Sequence, residues 1–436
     1  MKKPKIVLIG AGSHSFGLMT LKDLMDTPSL HGSEVVLVDI AADKLERMTR
    51  LAHRMNEIWQ AGLKLSATND RREALPGADM VITSVERKHY ELWQQDITIP
   101  EKHGCHRLYG ENGGPGGLFH TLRQVPLLLD IARDVERLCP EAWLLNLSNP
   151  ESRLCLALNR YTRVKNVGIC LGAYITQNNL AGVLGLKQHE VDIKVAGINH
   201  CHWVVDVRRV GTGEDLYPAL RQRIEQVDPA WEPLSRECLR RFGLYPGPAD
   251  THVGEYLGWG WKYLKPAQTA WIFKGDEAEK EREAIVEKLA RGQGPIQGDE
   301  EAAFKSLLIE GGLRWQTIDI LLSLLDNGNR YILSLNQANH GYISNLRQDA
   351  VVEIPAIVGA NRIYGLHVGE LPTAIAGILE HQLYIMELVV EAAVKGDRQA
   401  ALEALIIDPN VPDPDAAQKI LDEMLILQKD YLPQFA

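Results

Sequence analysis

Cys170 and His200 offer a thiol and an imidazole, side chains that suit a divalent transition ion, whereas carboxylates and carbonyls suit magnesium. They stand 30 residues apart, with no CxxC pair and no HExxH helix beside them. On spacing alone, a buried structural cysteine and an incidental histidine are the more economical reading, and Cys201 and His202 are rival ligands. A second group is Asp250 and His252, two apart in the Gly/Pro-rich stretch Phe242–Tyr256, with Tyr245 before them and Glu255 and Tyr256 after. Such a loop can present a general base to a crevice, or it can start a helix with Asp250 as its cap. A third is Gly10-Ala11-Gly12-Ser13-His14-Ser15, followed by Asp39.

The elements around the third group give it meaning. An apolar run at 4–9 enters the glycine turn, a helix-like segment Phe16–Met25 follows, and a strand Glu34–Val38 ends at Asp39, 29 residues after Gly10. In that setting the glycines let the backbone approach a pyrophosphate, the helix N-terminus supplies N–H donors, and the acid accepts hydrogen bonds from a ribose. Gly10, Gly12, Ser13 and Asp39 are therefore candidate cofactor residues, with Ser15 standing where the usual fingerprint has its third glycine. A carboxylate at Asp39 favours NAD, because it would repel the 2′-phosphate of NADP. Further strands are expected at 79–84, 142–146 and 166–170, with helices at about 118–138 and 151–161. The alternation predicts an α/β fold, an N-terminal Rossmann-like doubly wound parallel sheet. Ser84, Asn146, Asn149 and Cys170 end or follow its strands and so face the crevice where such sheets bind ligands.

Past residue 195 the alternation fades into a mixed, largely helical C-terminal half. Helices are expected at 216–241, 277–292, 299–326 and through most of 373–434. The division follows: 1–195 as the nucleotide-binding domain and 196–436 as an α+β domain for substrate, metal and oligomerisation. His381 falls on a helical period and carries no assigned role.

The 436 residues are 45% hydrophobic and 24% charged, with net charge −10. That composition describes an ordinary globular chain and lacks the basic footprint of a nucleic-acid binder or a membrane-surface anchor. The apolar start is too short for a signal peptide or a spanning helix, and six cysteines in so long a chain read as reduced thiols in the cytoplasm.

Taken together the motifs resemble glycoside hydrolase family 4, the NAD- and metal-dependent glycosidases with a lactate/malate dehydrogenase-like fold. The resemblance runs along nearly the whole chain: Gly10-Ala11-Gly12-Ser13 with Asp39; Gly113-Gly114-Pro115-Gly116-Gly117 with Leu122-Arg123; Asn146-Leu147-Ser148-Asn149-Pro150; Gly168-Ile169-Cys170; Ala196-Gly197-Ile198-Asn199-His200; Asp250-x-His252-x-x-Glu255-Tyr256; and Asn336-x-x-Asn339-x-Gly341-x-Ile343-x-Asn345-Leu346, backed by Val352-Glu353-Ile354-Pro355.

The resemblance implies a glycosidase that oxidises C3 of a sugar with NAD, removes the C2 proton, eliminates the aglycone, adds water and returns the hydride. Such NAD-dependent enzymes stand outside the two-carboxylate scheme of most glycosidases. It implies Cys170 and His200 as ligands of Mn²⁺, Asn149 as a substrate contact, Asp250 or Tyr245 as the C2 base, and Glu111 and Asn146 near the sugar. After the cysteine, Leu171 replaces both the histidine common in the family's α-glucosidases, α-galactosidases and α-glucuronidases and the Asp or Asn common in its phospho-glycosidases; the expected substrate is an unphosphorylated α-glycoside, with a glycuronide as an alternative. Arg347, where proline is common, could clamp the carboxylate of a glycuronide, against the plainer reading of a surface arginine. The expected partner is a small glycoside, and the expected assembly a homodimer or homotetramer. A 2-hydroxy-acid dehydrogenase of malate or lactate type is the competing reading, and it has no use for the Cys170/His200 pair.

Overall fold

A computed structural model describes residues 3–13, 16–292, 316–359 and 362–436. Short runs of β-branched and aliphatic residues form β1 (Lys5–Ile9), β2 (Glu34–Val38), β3 (Lys64–Thr68), β4 (Met80–Thr83), β5 (Trp143–Asn146) and β6 (Lys165–Gly168). They pair in parallel in the order β3-β2-β1-β4-β5-β6. The strand order reverses between β1 and β4, and the crevice at that switch point is where open α/β sheets hold ligands. β1, β2, β4 and β5 are apolar on both sides because helices cover both faces. One layer contains Phe16–Met25, Ala42–Trp59 and Gln316–Asp326; the other contains Gly114–Leu138 and Glu151–Tyr161.

The sheet continues in antiparallel fashion into the second half. β10 (Arg330–Ala338) joins β6 through Asn336 opposite Gly168, and β11 (Val351–Gly359) joins β7 (Val191–Ile198) through Glu353 opposite Gly197. β7 returns as β8 (Cys201–Arg209), which pairs with β9 (Tyr245–Gly247), while β12 (Arg362–Gly365) pairs with β11. Helices Thr373–Lys395, Arg398–Ile407 and Pro414–Leu427 pack against Gly114–Leu138 and its neighbours in the larger core. Thr373–Lys395 is long and apolar enough to cross a membrane, but half of its most apolar stretch is buried inside the protein.

Observed boundaries coincide with the expected ones at Phe16–Met25, Glu34–Val38 and Glu151–Tyr161. The expected helix 118–138 starts earlier, at Gly114, because Pro115 suits the first turn. Expected helix 216–241 is two pieces, Tyr217–Arg223 and Pro233–Phe242, with the break at Pro229 and Pro233. His14, Ser15 and the 299–315 part of the last charged helix lie outside the described residues.

Candidate active site

Gly10 leaves β1 with φ +88°, and a Cβ there would lie 1.9 Å from the carbonyl oxygen of Ser84 after β4. Only glycine fits, and the two strand ends close on one another to form the floor of the crevice. The Gly12 N–H donates to Asp39 Oδ2 at 2.9 Å and the Ala41 N–H donates to Oδ1 at 2.9 Å. These bonds aim the Asp39 carboxylate across the glycine turn with lone pairs to spare for hydroxyls. The Ser13 N–H donates to the Gly10 carbonyl at 3.1 Å and closes the turn.

The next wall is built from the segments after β4 and β5. Val85 N–H donates to Ser148 Oγ at 2.8 Å. Asn146 is fully buried: it accepts from the Thr83 hydroxyl and donates to the Ser148 carbonyl and Glu151 Oε1 at 2.8–3.0 Å. It shapes the turn rather than touching a sugar, which corrects its expected substrate role. Asn149, preceding a cis proline, does reach the crevice, donating from Nδ2 to Glu111 Oε1 at 2.9 Å.

Glu111 sits on the glycine-rich loop, and the loop is held by Glu255. The Glu111 N–H donates to Glu255 Oε1 at 2.7 Å, and a Cβ on Gly113 would lie 2.7 Å from the Glu255 Cβ. Glu255 is fully buried, and burial with Glu111 nearby pushes its carboxyl up to about 8. Burial raises Glu111 as well, against the pull of His120. His120 donates from Nδ1 to the Glu111 carbonyl at 2.8 Å and lies 3.2 Å from Glu86 by Nε2. Glu86 also pairs with His89. Burial alone would raise Glu86, but His89 and His120 together hold it below the usual carboxylate range.

From the other side His200 enters on the tight turn between β7 and β8. Its φ of +65° is left-handed, a conformation that costs a β-carbon-bearing residue about 1–2 kcal/mol and that clusters at functional sites. His200 Nδ1 is buried without a hydrogen-bond partner, 3.7 Å from Glu111 Oε2. The His252 ring stands edge-on to it with centroids 4.4 Å apart. Glu111, His200 and His252 can bring one donor atom each within 4.8 Å of one another. Burial depresses both imidazoles, His252 to about 4 and His200 well below its ordinary value, so both are neutral and have lone pairs available at pH 7. An unpartnered ring nitrogen and a second neutral imidazole fit a divalent transition ion, and the Glu111 carboxylate faces the same opening.

Cys170 is not in that trio. Its Sγ accepts from the Gly172 N–H at 3.3 Å and faces Asn199, the residue before His200. Burial raises its thiol, with Asn199 and Gly172 pulling back. Cys170 thus stands beside the residue that precedes His200, and the structure adds His252, which sequence spacing left undecided.

Three expected site residues have structural partners of their own. Asp250 is 1% exposed and accepts from the Leu234 N–H, the Ser235 N–H and the Ser235 hydroxyl at 2.7–2.8 Å. It caps the helix Pro233–Phe242, the helix-start reading of this residue. Tyr245, on β9, is buried in the cluster formed with Val195, Val204 and Leu239, and its hydroxyl is buried without a hydrogen-bond partner. Arg347 has its guanidinium in ion pairs with Glu387 and Asp349 and stacked over Tyr384, leaving no free fork for a sugar carboxylate. Glu86, His89 and His120 were missed in sequence, and Glu255 was named there without a role; the Glu86-x-x-His89 spacing after a strand was the available signal.

Two family descriptions match in tandem: the family 4 glycosyl hydrolase over residues 5–186 and its C-terminal domain over 195–411. The chain belongs to family 4 of the glycosyl hydrolases. This family 4 glycosidase is 30% identical to an α-glucosidase of Erwinia rhapontici, over 98% of both chains. It is 31% identical to an α-galactosidase of Rhizobium meliloti (strain 1021), over 99% of this chain and 90% of that one. In fold it is similar to a 6-phospho-α-glucosidase from gut microorganisms solved with NAD and Mn²⁺, with TM-score 0.84, 24% identity and full coverage of both chains. Malate dehydrogenase of Cryptosporidium parvum shares the fold more distantly, with TM-score 0.53 and 15% identity over 90% of this chain and 99% of that one. The expected α/β architecture and family are thereby established, and the dehydrogenase likeness is one of fold.

Proposed function

We propose that this glycosidase cleaves an unphosphorylated α-glycoside using NAD⁺ and a divalent cation, Mn²⁺ by preference. The observation that supports this best is the convergence, at the sheet's switch point, of the Gly10–Asp39 turn with Asn149, Glu111, His200 and His252. When bound, the nicotinamide takes and later returns a hydride at the sugar while the cation polarises the adjacent hydroxyls and makes the C2 proton acidic. His200 and His252 hold the cation, with the Cys170 thiol beside Asn199 as a further ligand. Gly10, Gly12, Ser13 and Ser84 give the backbone cradle for the dinucleotide, and Asp39 takes a ribose hydroxyl.

Asn149, tied through Nδ2 to Glu111, keeps its carbonyl oxygen for a sugar hydroxyl. Glu111 takes the C2 proton: its carboxyl is buried, raised in pKa and 3.7 Å from His200. The neutral, unphosphorylated glycone follows from charge. Arg347 is already paired with Glu387 and Asp349 and so offers no cation to a phosphate or a carboxylate. Glycosides of glucose and galactose, neutral and neutral-charged at all positions, are the substrates of choice, in keeping with the names of the two relatives. Assay of α-glucosides, α-galactosides, their 6-phosphates and the α-glucuronide with NAD⁺ and Mn²⁺ tests this; preference for a phosphorylated or uronic sugar overturns it.

The six free cysteines suit a reducing cytoplasm. Ile406, Ile407, Ile426 and Leu427 leave apolar side chains exposed on the C-terminal helices, a surface suited to a homodimer or homotetramer.

A further inference from the structure

Beyond the sugar-binding centre, a row of aromatic rings runs from His252 to the protein surface. The Tyr109 ring lies 4.9 Å from that of His252, and Trp271 lies 6.2 Å from Tyr109. Trp93 backs both, at 4.9 Å from Tyr109 and 5.4 Å from Trp271, and its Nε1–H donates to the Tyr109 carbonyl at 2.6 Å. At the outer end Trp271 is 46% exposed; Phe273, two residues further along the chain, is 38% exposed, although Ile272 between them is fully buried. The backbone that presents them is fixed. Gln94 Nε2 donates to the Ile272 carbonyl at 3.2 Å, and a Cβ on Gly275 would lie 2.0 Å from the Tyr90 ring, so that ring seals the segment against the helix His89–Lys102.

We propose that Tyr109, Trp271 and Phe273 form the aglycone subsite, which takes a leaving group carrying a flat apolar ring face, either an aryl group or a second pyranose. The proposal rests on the glycosidase reading above. Its occupant is indicated by continuity: His252 touches both His200 in the reacting centre and Tyr109 on the outward path. A substituent on the anomeric oxygen is the part of a glycoside that must leave the centre, and rigid rings on an anchored segment stack on such a face with little entropy lost. The charge nearest these rings is already paired: Arg107 lies over the Phe273 ring, 5.4 Å from its centroid, and donates to Glu101. Aglycones with an uncharged ring are therefore favoured over anionic ones.

The test compares methyl, p-nitrophenyl and glucosyl aglycones on one glycone, with the wild type, Trp271→Ala and Phe273→Ala, each with NAD⁺ and Mn²⁺. The expected result is a rise in KM of about two- to thirteenfold for the p-nitrophenyl and glucosyl substrates in Trp271→Ala, with KM for the methyl glycoside and all kcat values unchanged; that range is what about 0.5–1.5 kcal/mol of stacking gives. A rise for p-nitrophenyl alone assigns the subsite to aryl aglycones, and a rise for glucosyl alone assigns it to a sugar. A parallel measurement without cofactor or metal reads quenching of tryptophan fluorescence by the p-nitrophenyl glycoside, expected to fall in Trp271→Ala and in Phe273→Ala. Equal KM changes for all three aglycones, no change at all, or a changed oligomer mass by sedimentation without aglycone discrimination overturns the subsite. Absence of turnover with every glycoside, while the quenching difference persists, refutes the glycosidase reading and leaves the ring-binding surface standing.

Discussion

Residue by residue, proton transfer and ligation separate cleanly from structural capping. Asp250 holds the first turn of Pro233–Phe242 through three hydrogen bonds. Asp250→Ala is therefore expected to lose about 1–3 kcal/mol of stability, read as a lower midpoint in denaturant. At a temperature where the variant is folded, its kcat should stay within a few-fold of the wild type. Glu111→Gln should show the opposite pattern, with stability nearly kept and kcat down by about 10²–10⁴-fold. A large kcat loss in a fully stable Asp250→Asn would return the base to Asp250. Cys170→Ser should weaken Mn²⁺ binding in calorimetry while NAD⁺ affinity is unchanged, since Asp39 and the glycine turn lie on other strands.

At the level of elements, the glycine turn is the most constrained contact in the crevice. Gly10→Ala would set a methyl group against the Ser84 carbonyl and force an alanine to φ +88°. NAD⁺ binding should fall below detection by calorimetry and the thermal midpoint should drop; retained affinity would mean that the cofactor sits elsewhere. The strands and helices of the first half were legible because each is a short apolar run or a 3.6-residue period bounded by Gly, Pro or a polar turn. The glycines of 113–117 were legible as a motif but not as a cause: they make room for Glu255 and Asp96, which come from other stretches of chain. For the same reason Asn146 looked like a ligand contact. Its hydrogen bonds to Thr83, Ser148 and Glu151 exist only once β4 and β5 are paired. Arg347 gave no sign of its partner Glu387, forty residues on in the helix Thr373–Lys395.

Over the whole molecule, the C-terminal helices and the loops that follow them brace the crevice from behind. Asn410 Nδ2 donates to the Glu255 carbonyl at 2.8 Å, and Asp408 accepts from the Asn410 N–H at 2.9 Å. Burial raises the Asp408 carboxyl to about 6 from an ordinary 3.8. A raised acid favours its protonated form in the fold, so this contribution is present below pH 3.8 and is lost as the pH rises through about 6. Asp408→Asn keeps an acceptor for Asn410 and removes the buried charge. It should be more stable than the wild type by about 1–3 kcal/mol at pH 7.5, with the gain vanishing near pH 4, as read by urea unfolding at both values. The central proposal, bond cleavage through temporary oxidation of the sugar, belongs to this scale because it requires both halves of the chain at one crevice. It is tested most directly by turning over a glycoside deuterated at C2, in ordinary water with NAD⁺ and Mn²⁺, and analysing the released sugar by mass spectrometry. Loss of the label to solvent without net accumulation of NADH is the expected result, and full retention of deuterium at C2 through complete hydrolysis would contradict it.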